Sequence, residues 1–307
     1  MASYRKEQPI LKLFVAGTLM GSMAIGCASK SGTSEYPVAP KVTDTVGSVP
    51  EEIQSGTTTI ESQQETIGET ALGNPIKMVT LSQKPGLKET LMIVGGIHPG
   101  EKTGWLSQDK SQTGWLTMVK QWFMDNPQQW KDLNVAMVDI NPDGKGRQNP
   151  NKVDLARNFA CTSCNWTKTD PNTRDYADAD GPEPLSEPES QTLINAVNIS
   201  GPNIRLLVFL HNVFQPSGLV DPGHCDGSAD KSCLAAQEIA RLSGAKYSKI
   251  WSYRGNGAQY PEGLAGQPAD YFSERGYPTV DIEFPIANPS KKQTSLFCKA
   301  IVSSLNQ

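Results

Sequence analysis

Glu89-Thr90-Leu91-Met92-Ile93-Val94-Gly95-Gly96-Ile97-His98-Pro99-Gly100-Glu101-Lys102-Thr103-Gly104-Trp105 is the stretch that decides how the rest of the chain is read. Its first six residues form a short apolar run closed by a glycine pair, the pattern of a buried strand. Beyond the strand come His98 and Glu101, three residues apart. An imidazole and a carboxylate in one turn can present a nitrogen and an oxygen ligand to a single Zn²⁺. Gly95, Gly96 and Gly100 let the backbone turn sharply beside such an ion. Taken alone, the pair reads as easily as a strand cap and a solvated acid. The downstream sequence favours the metal.

Three more apolar runs follow. Asn134-Val135-Ala136-Met137-Val138-Asp139-Ile140 ends in the turn signal Asn141-Pro142-Asp143-Gly144. Residues 204–210 deliver His211, and residues 279–284 carry Glu283. Between them lie helical patterns at 115–130, 187–197, 234–242, 269–275 and 292–305. The first has Leu116, Val119, Trp122 and Phe123 on one stripe, and Ser186 is placed to begin the second. Thr66 to Ser82 alternates as a hairpin turning at Gly73-Asn74-Pro75. Strands alternating with helices predict an α/β domain whose central sheet is mixed but largely parallel, flanked by helices. Ligands bind beyond the C-terminal strand ends of such sheets.

His211 is then the natural third ligand, since a catalytic zinc takes three protein ligands and keeps one position open. The chain has three histidines; His224, between Gly223 and Cys225 in a loop expected to be closed by a disulfide, is the weaker candidate. Glu283 shares a strand face with Asp281 and is placed to act as general base on a zinc-activated water.

The chain has 307 residues, a net charge of −4 and a pI near 5.5, which gives no attraction for nucleic acid. Residues 1–27 read as a lipoprotein signal peptide. Arg5, Lys6 and Lys12 surround an apolar stretch that ends at Ala24-Ile25-Gly26-Cys27, which resembles a bacterial lipobox with Cys27 the lipidated residue. Residues 28–63, rich in Ser, Thr, Pro, Gly and Glu, read as a flexible tether, and 64–307 as the catalytic domain. The expectation is a domain lipid-anchored to a bacterial membrane, facing the periplasm or the exterior. Five further cysteines would meet oxidising conditions there. Cys225 and Cys233 bracket a short loop and are the favoured disulfide. Cys161-x-x-Cys164 can close on itself or serve as a zinc or redox motif, and Cys298 is left over.

Six segments in order then carry a resemblance. They are Gly96-Ile97-His98-Pro99-Gly100-Glu101, Asn141-Pro142-Asp143-Gly144, Val153-Asp154-Leu155-Ala156-Arg157-Asn158-Phe159, Gly181 to Glu189, Leu210-His211, and Asp281-Ile282-Glu283-Phe284. Over residues 70 to 290 the chain resembles the zinc metallocarboxypeptidases of the carboxypeptidase A-like fold, in the branch that cleaves peptidoglycan stem peptides. The resemblance implies one zinc on His98, Glu101 and His211, with Glu283 as base. It implies that Arg147 polarises the scissile carbonyl and that Arg157 grips the substrate carboxylate, as a guanidinium fork can. It also implies a lid tyrosine, Tyr260 before Tyr253, in a loop whose Gly255, Gly257, Gly263 and Gly266 suggest mobility. The family's asparagine before the arginine is Ala156 here, which puts strict C-terminal specificity in doubt.

The expected function is hydrolysis of a peptide bond near a free carboxylate. Anchor and tether favour peptidoglycan stem peptides, at the bond between D-glutamate and diaminopimelate or the bond before a terminal D-alanine. The alternatives are an N-acyl amino acid deacylase of the aspartoacylase-like type, and a non-catalytic envelope lipoprotein that binds cell-wall peptides.

Overall fold

A computed structural model describes residues 53–55, 58–105, 114–159, 181–213, 218–223, 230–248, 267–285 and 290–306. In chain order the elements are β1 (Ile53–Ser55), β2 (Thr58–Glu69), β3 (Pro75–Ser82), β4 (Thr90–Gly95), α1 (Trp115–Asp125), β5 (Asn134–Asp139), α2 (Pro188–Ser200), β6 (Ile204–Val213), β7 (Leu219–Pro222), α3 (Lys231–Ser243), β8 (Lys246–Tyr247), α4 (Pro268–Ser273), β9 (Thr279–Pro285) and α5 (Lys291–Ser304). The strands form one sheet in the order β1-β2-β3-β5-β4-β6-β9-β7-β8.

The centre of this sheet, β5-β4-β6-β9, is parallel throughout. The flanks are antiparallel, at β1–β2–β3–β5 on one side and β7–β9 on the other. The central strands are apolar on both faces because both are covered. On β6, Leu206, Val208 and Leu210 pack with α1, α3 and α5 residues such as Phe123, Ile239 and Ile301. Leu207 and Phe209 point the other way, toward Leu193 of α2 and Phe272 of α4. The chain leaves β4 for β5 on one side, then returns past it to β6 on the other. This reversal opens a crevice at the C-terminal end of β4, where α/β sheets hold their ligands. His98 and Glu101 lie just beyond that end.

The four strands expected from apolar runs are present as β4, β5, β6 and β9, and the five helical patterns as α1 to α5. The stripe on α1 is buried as its spacing required, together with Trp115. Helix α2 is capped at Glu187 rather than Ser186, whose hydroxyl instead bonds the Glu187 carboxylate.

The tether boundary needs correction. Residues 53–55 and 58–63, read as linker, lie in β1 and β2, and β2 pairs with β3 from Glu61 opposite Ser82. The cause is visible in the burial of β2: Ile60 and Ile67 are buried, whereas Glu61 and residues 63–66 are exposed. A strand near the sheet edge with most side chains in solvent has the composition of a linker. β7 and β8 also escaped the sequence reading, being four and two residues long.

Candidate active site

Three strand ends and one loop converge on the crevice. At the first, Gly96 adopts φ +74, and a Cβ there would fall 1.9 Å from the Asp139 carboxylate. The chain then enters a single 3₁₀ turn, Pro99–Glu101, preceded by extended His98. This turn brings the Glu101 carboxylate back to the His98 ring, Oε1 to Nδ1, at 2.8 Å.

β6 carries His211 in from the side. Its Nδ1 is 3.3 Å from His98 Nδ1 and 3.3 Å from Glu101 Oε2. Two ligands bound tetrahedrally to one zinc at about 2.05 Å stand about 3.4 Å apart. The three ligand atoms therefore match one small ion, and all lie within 4.8 Å of one another. The next residue secures the carboxylate, since the Asn212 backbone N–H donates to Glu101 Oε2 at 3.1 Å.

The far side of the His98 ring is held by Asp154, a residue the sequence analysis did not assign to the site. His98 Nε2 is 2.9 Å from Asp154 Oδ1, and both side chains are buried. With the proton on Nε2 donated to Asp154, the Nδ1 lone pair faces His211 and Glu101. A carboxylate behind a ligating imidazole fixes its tautomer and raises its basicity. Asp154 caps the turn Leu155–Arg157 by accepting from Ala156 N–H. An acid at the head of the Asp154-Leu155-Ala156-Arg157 segment was the available signal.

The charges are strongly coupled. Burial alone would raise the Glu101 and Asp154 carboxyls, but the charge and hydrogen bond of His98, joined at Glu101 by those of His211, hold both well below the usual carboxylate range. Arg157 and Arg147 add to the effect on Asp154. Burial opposes a charged His211, yet the hydrogen bond and charge of Glu101, then Glu283 and Asp281, lift it to about 9. Such a cluster of anions is the environment a divalent cation satisfies.

Arg147 reaches the site from the loop after β5. Its guanidinium donates to Glu101 Oε1 at 3.2 Å and to Asp154 Oδ2 at 3.3 Å. The loop is held against the metal turn by Gly100 N–H donating to the Gly146 carbonyl at 2.8 Å. A Cβ on Gly100 would meet that carbonyl at 3.0 Å, so the approach favours glycine. Farther along, Asn149 donates one amide to both Glu187 and Glu189 and accepts from Val153 N–H, which fixes the other end of the loop.

Glu283 stands on β9 beside His211, its register partner on β6. The following Phe284 points to the opposite face and stacks on Trp115 at 3.7 Å between ring centres. Burial raises the Glu283 pKa, and the charge of Glu101 raises it further against the opposing pull of the histidines and Arg147. A carboxylate raised in this way is a better proton acceptor than an ordinary glutamate, which suits proton transfer.

His98, Glu101, Arg147, His211 and Glu283 line a cavity of about 560 Å³, bounded also by Lys102, Ala156, Arg157, Asn212, Gln267 and Asp281. Arg157 lines it as expected, with its guanidinium donating to the Ala156 carbonyl. Cys233 is disulfide-bonded, and Cys298 is a buried free thiol. Tyr260, Tyr253, His224, Cys27, Cys225 and the Cys161-x-x-Cys164 motif lie outside the described residues.

The sequence profile of the zinc carboxypeptidases matches residues 59–284, from β2 into β9. The chain belongs to that family. Zinc is accordingly the metal for the triad, and the donor set of two imidazoles and a carboxylate fits it. No curated protein matches this family member by sequence. Solved structures share its fold. A carboxypeptidase A from Helicoverpa armigera superposes with a TM-score of 0.59 at 15% identity, over 80% of this chain and 68% of that one. Bovine thrombin-activatable fibrinolysis inhibitor gives 0.58 at 16%, over 80% and 90%. A metallo-carboxypeptidase from Burkholderia cenocepacia gives 0.55 at 15%, over 79% of this chain, which spans only 63% of it.

Proposed function

We propose that this family member is a zinc peptidase that hydrolyses a peptide bond close to a free carboxylate, with peptidoglycan stem peptides as substrates. The observation that carries the hydrolase reading is the convergence of three ligand atoms at zinc spacing with Glu283 and Arg147 in one cavity. His98, Glu101 and His211 would hold the zinc, which would lower the pKa of a water and polarise a carbonyl. Glu283 takes the proton of the attacking water and passes it to the leaving amine. Arg147, half exposed at the cavity wall, donates to the carbonyl oxygen as negative charge develops there. Arg157 offers its fork to the substrate carboxylate. Asp154 keeps His98 in the ligating tautomer throughout.

The substrate assignment rests on the sequence: a lipobox-like segment ending at Cys27, then a polar linker, would hold the domain within reach of the cell wall. Ala156, buried at the cavity edge, provides no amide for a terminal carboxylate. That favours cleavage that tolerates substrate beyond the terminal residue. The test is digestion of purified stem peptides by the full chain, with products resolved by mass. Cleavage lost on both chelation and Glu283→Gln supports the proposal, and the fragment mass names the bond. Zinc-loaded protein that leaves stem peptides intact but deacylates N-acyl amino acids sinks it. Binding without turnover of either substrate also sinks it and leaves the binding lipoprotein.

A further inference from the structure

The last residue of β5, Asp139, lies against the metal turn and has no part in the chemistry above. β4 and β5 run parallel, with Asp139 beside Gly95 in the register, and the Ile140 N–H donates to the Gly95 carbonyl at 3.1 Å. From Gly95 the chain leaves the sheet, passes through His98 and Glu101, and is back at the same point by Thr103. A Cβ on Gly95 would fall 2.2 Å from the Thr103 carbonyl oxygen, and the Gly96 N–H donates to Thr103 Oγ1 at 3.0 Å. His98 and Glu101 thus ride on one closed loop, Gly96 to Gly104.

The Asp139 carboxylate fills the neck of that loop. Its Oδ2 accepts from the Trp105 backbone N–H at 2.9 Å, and the carboxylate also takes the Asn141 N–H. A Cβ on Gly96 would fall 1.9 Å from Oδ1, and one on Gly104 would fall 2.1 Å from Oδ2. The outgoing and returning ends of the loop therefore press on one carboxylate, each at its own oxygen. At Gly96 a φ of +74 calls for glycine in any case. Gly104 does not adopt a positive φ, and the three nearest atoms to a Cβ there all belong to Asp139. Gly96 is two residues from His98 and Gly104 three from Glu101, so a shift of the neck is carried to both ligands. An N–H that loses its acceptor drives such a shift, because the backbone moves to satisfy it elsewhere.

We infer that Asp139 is a positioning residue of the metal centre: its carboxylate clasps the two ends of the 96–104 loop and so holds His98 and Glu101 at the spacing zinc requires. Asp154 fixes the His98 ring, whereas Asp139 fixes the backbone that carries both ligands. Metal affinity, and not stability alone, then depends on an acceptor at residue 139.

The inference rests on the metal triad and on no substrate, so its test reads the metal, and the peptidase reading is judged separately by turnover. Full-length native protein, Asp139→Ala, Asp139→Asn and Gly104→Ala are stripped of metal. Zinc affinity is measured in competition with a chelator, the visible spectrum is recorded after loading with Co²⁺, and Tm is taken without metal. Asp139→Ala and Gly104→Ala are expected to weaken zinc about tenfold or more and to change the cobalt spectrum, as loss of a group that orients ligands does. Asp139→Asn, equal in size and still an acceptor, should lose less. Adding Gly104→Ala to Asp139→Ala should weaken zinc no further, because the new methyl group then has room. Native zinc affinity and an unaltered cobalt spectrum in Asp139→Ala overturn the inference however far Tm falls, since the clasp would then be structural only. So does an Asp139→Asn loss equal to that of Asp139→Ala, or a full second loss in the double variant. Should Asp139→Ala fail to fold, the other two decide. A loss of about tenfold in Gly104→Ala with a smaller one in Asp139→Asn upholds the inference, and native affinity in Gly104→Ala ends it.

Discussion

Two groups of buried acids sit on either side of the Arg147 loop, and they are built on opposite principles. Glu187 accepts from Asn149, Asn151 and Ser186, and Glu189 from Asn149 and the Ala71 backbone. Those carboxylates are saturated with hydrogen bonds and serve to tie the head of α2, the β2–β3 turn and the loop together. Across the loop, Glu101 and Asp154 crowd around two imidazoles, and Asp281 and Glu283 line the cavity, where burial raises the pKa of both. The first group has completed its chemistry within the protein. The second is completed only by what binds. A buried charge that is fully hydrogen-bonded holds a structure, whereas one left facing a cavity is held ready for a ligand.

The comparison can be broken by substitution. Glu283→Gln, on the open side, should lower kcat by about 10³-fold with zinc retained, read by turnover and metal analysis. Retained turnover would place the base elsewhere. Arg147→Met should cost roughly 10²-fold in kcat with a smaller change in KM, because its donors act on charge that develops in the transition state. Asp154→Asn should weaken zinc by about 10- to 100-fold in competition with a chelator, since the His98 tautomer is then less firmly held.

The saturated group predicts the reverse. Asn149→Ala should leave zinc stoichiometry intact but strand two buried carboxylates. The expected cost is about 1–3 kcal/mol, seen as a lower Tm. Activity should fall less than in Arg147→Met, since the guanidinium is displaced rather than removed.

The smallest effect is in pH dependence. Burial raises the Glu283 pKa, and a general base works only when deprotonated. The rate therefore falls as pH drops through a value above that of an ordinary glutamate. A limb at the ordinary glutamate value would dissolve the contrast between the two groups.

The sequence by itself determined the parallel centre of the sheet, through four apolar runs, and offered candidate metal ligands and a candidate base, through residues placed at the ends of those runs. These are local signals: a period of two along a strand, a spacing of three across a turn. Tertiary structure alone decided three other matters. It made a strand of Thr58–Glu69, whose polar side chains face solvent and whose pairing with β3 carries no hydrophobic signature. It set Asp154 behind His98, 56 residues earlier in the chain, where a spacing rule has no reach. It also aligned Asp221 and Asp270 with Asp281 from a neighbouring strand and a helix. Sequence could place Asp281 on the face of Glu283, but only the packing of β7 and α4 showed that its neighbours are acids. The physical reason is common to all three: periodicity reports which way a side chain points, and only the fold reports what it meets there.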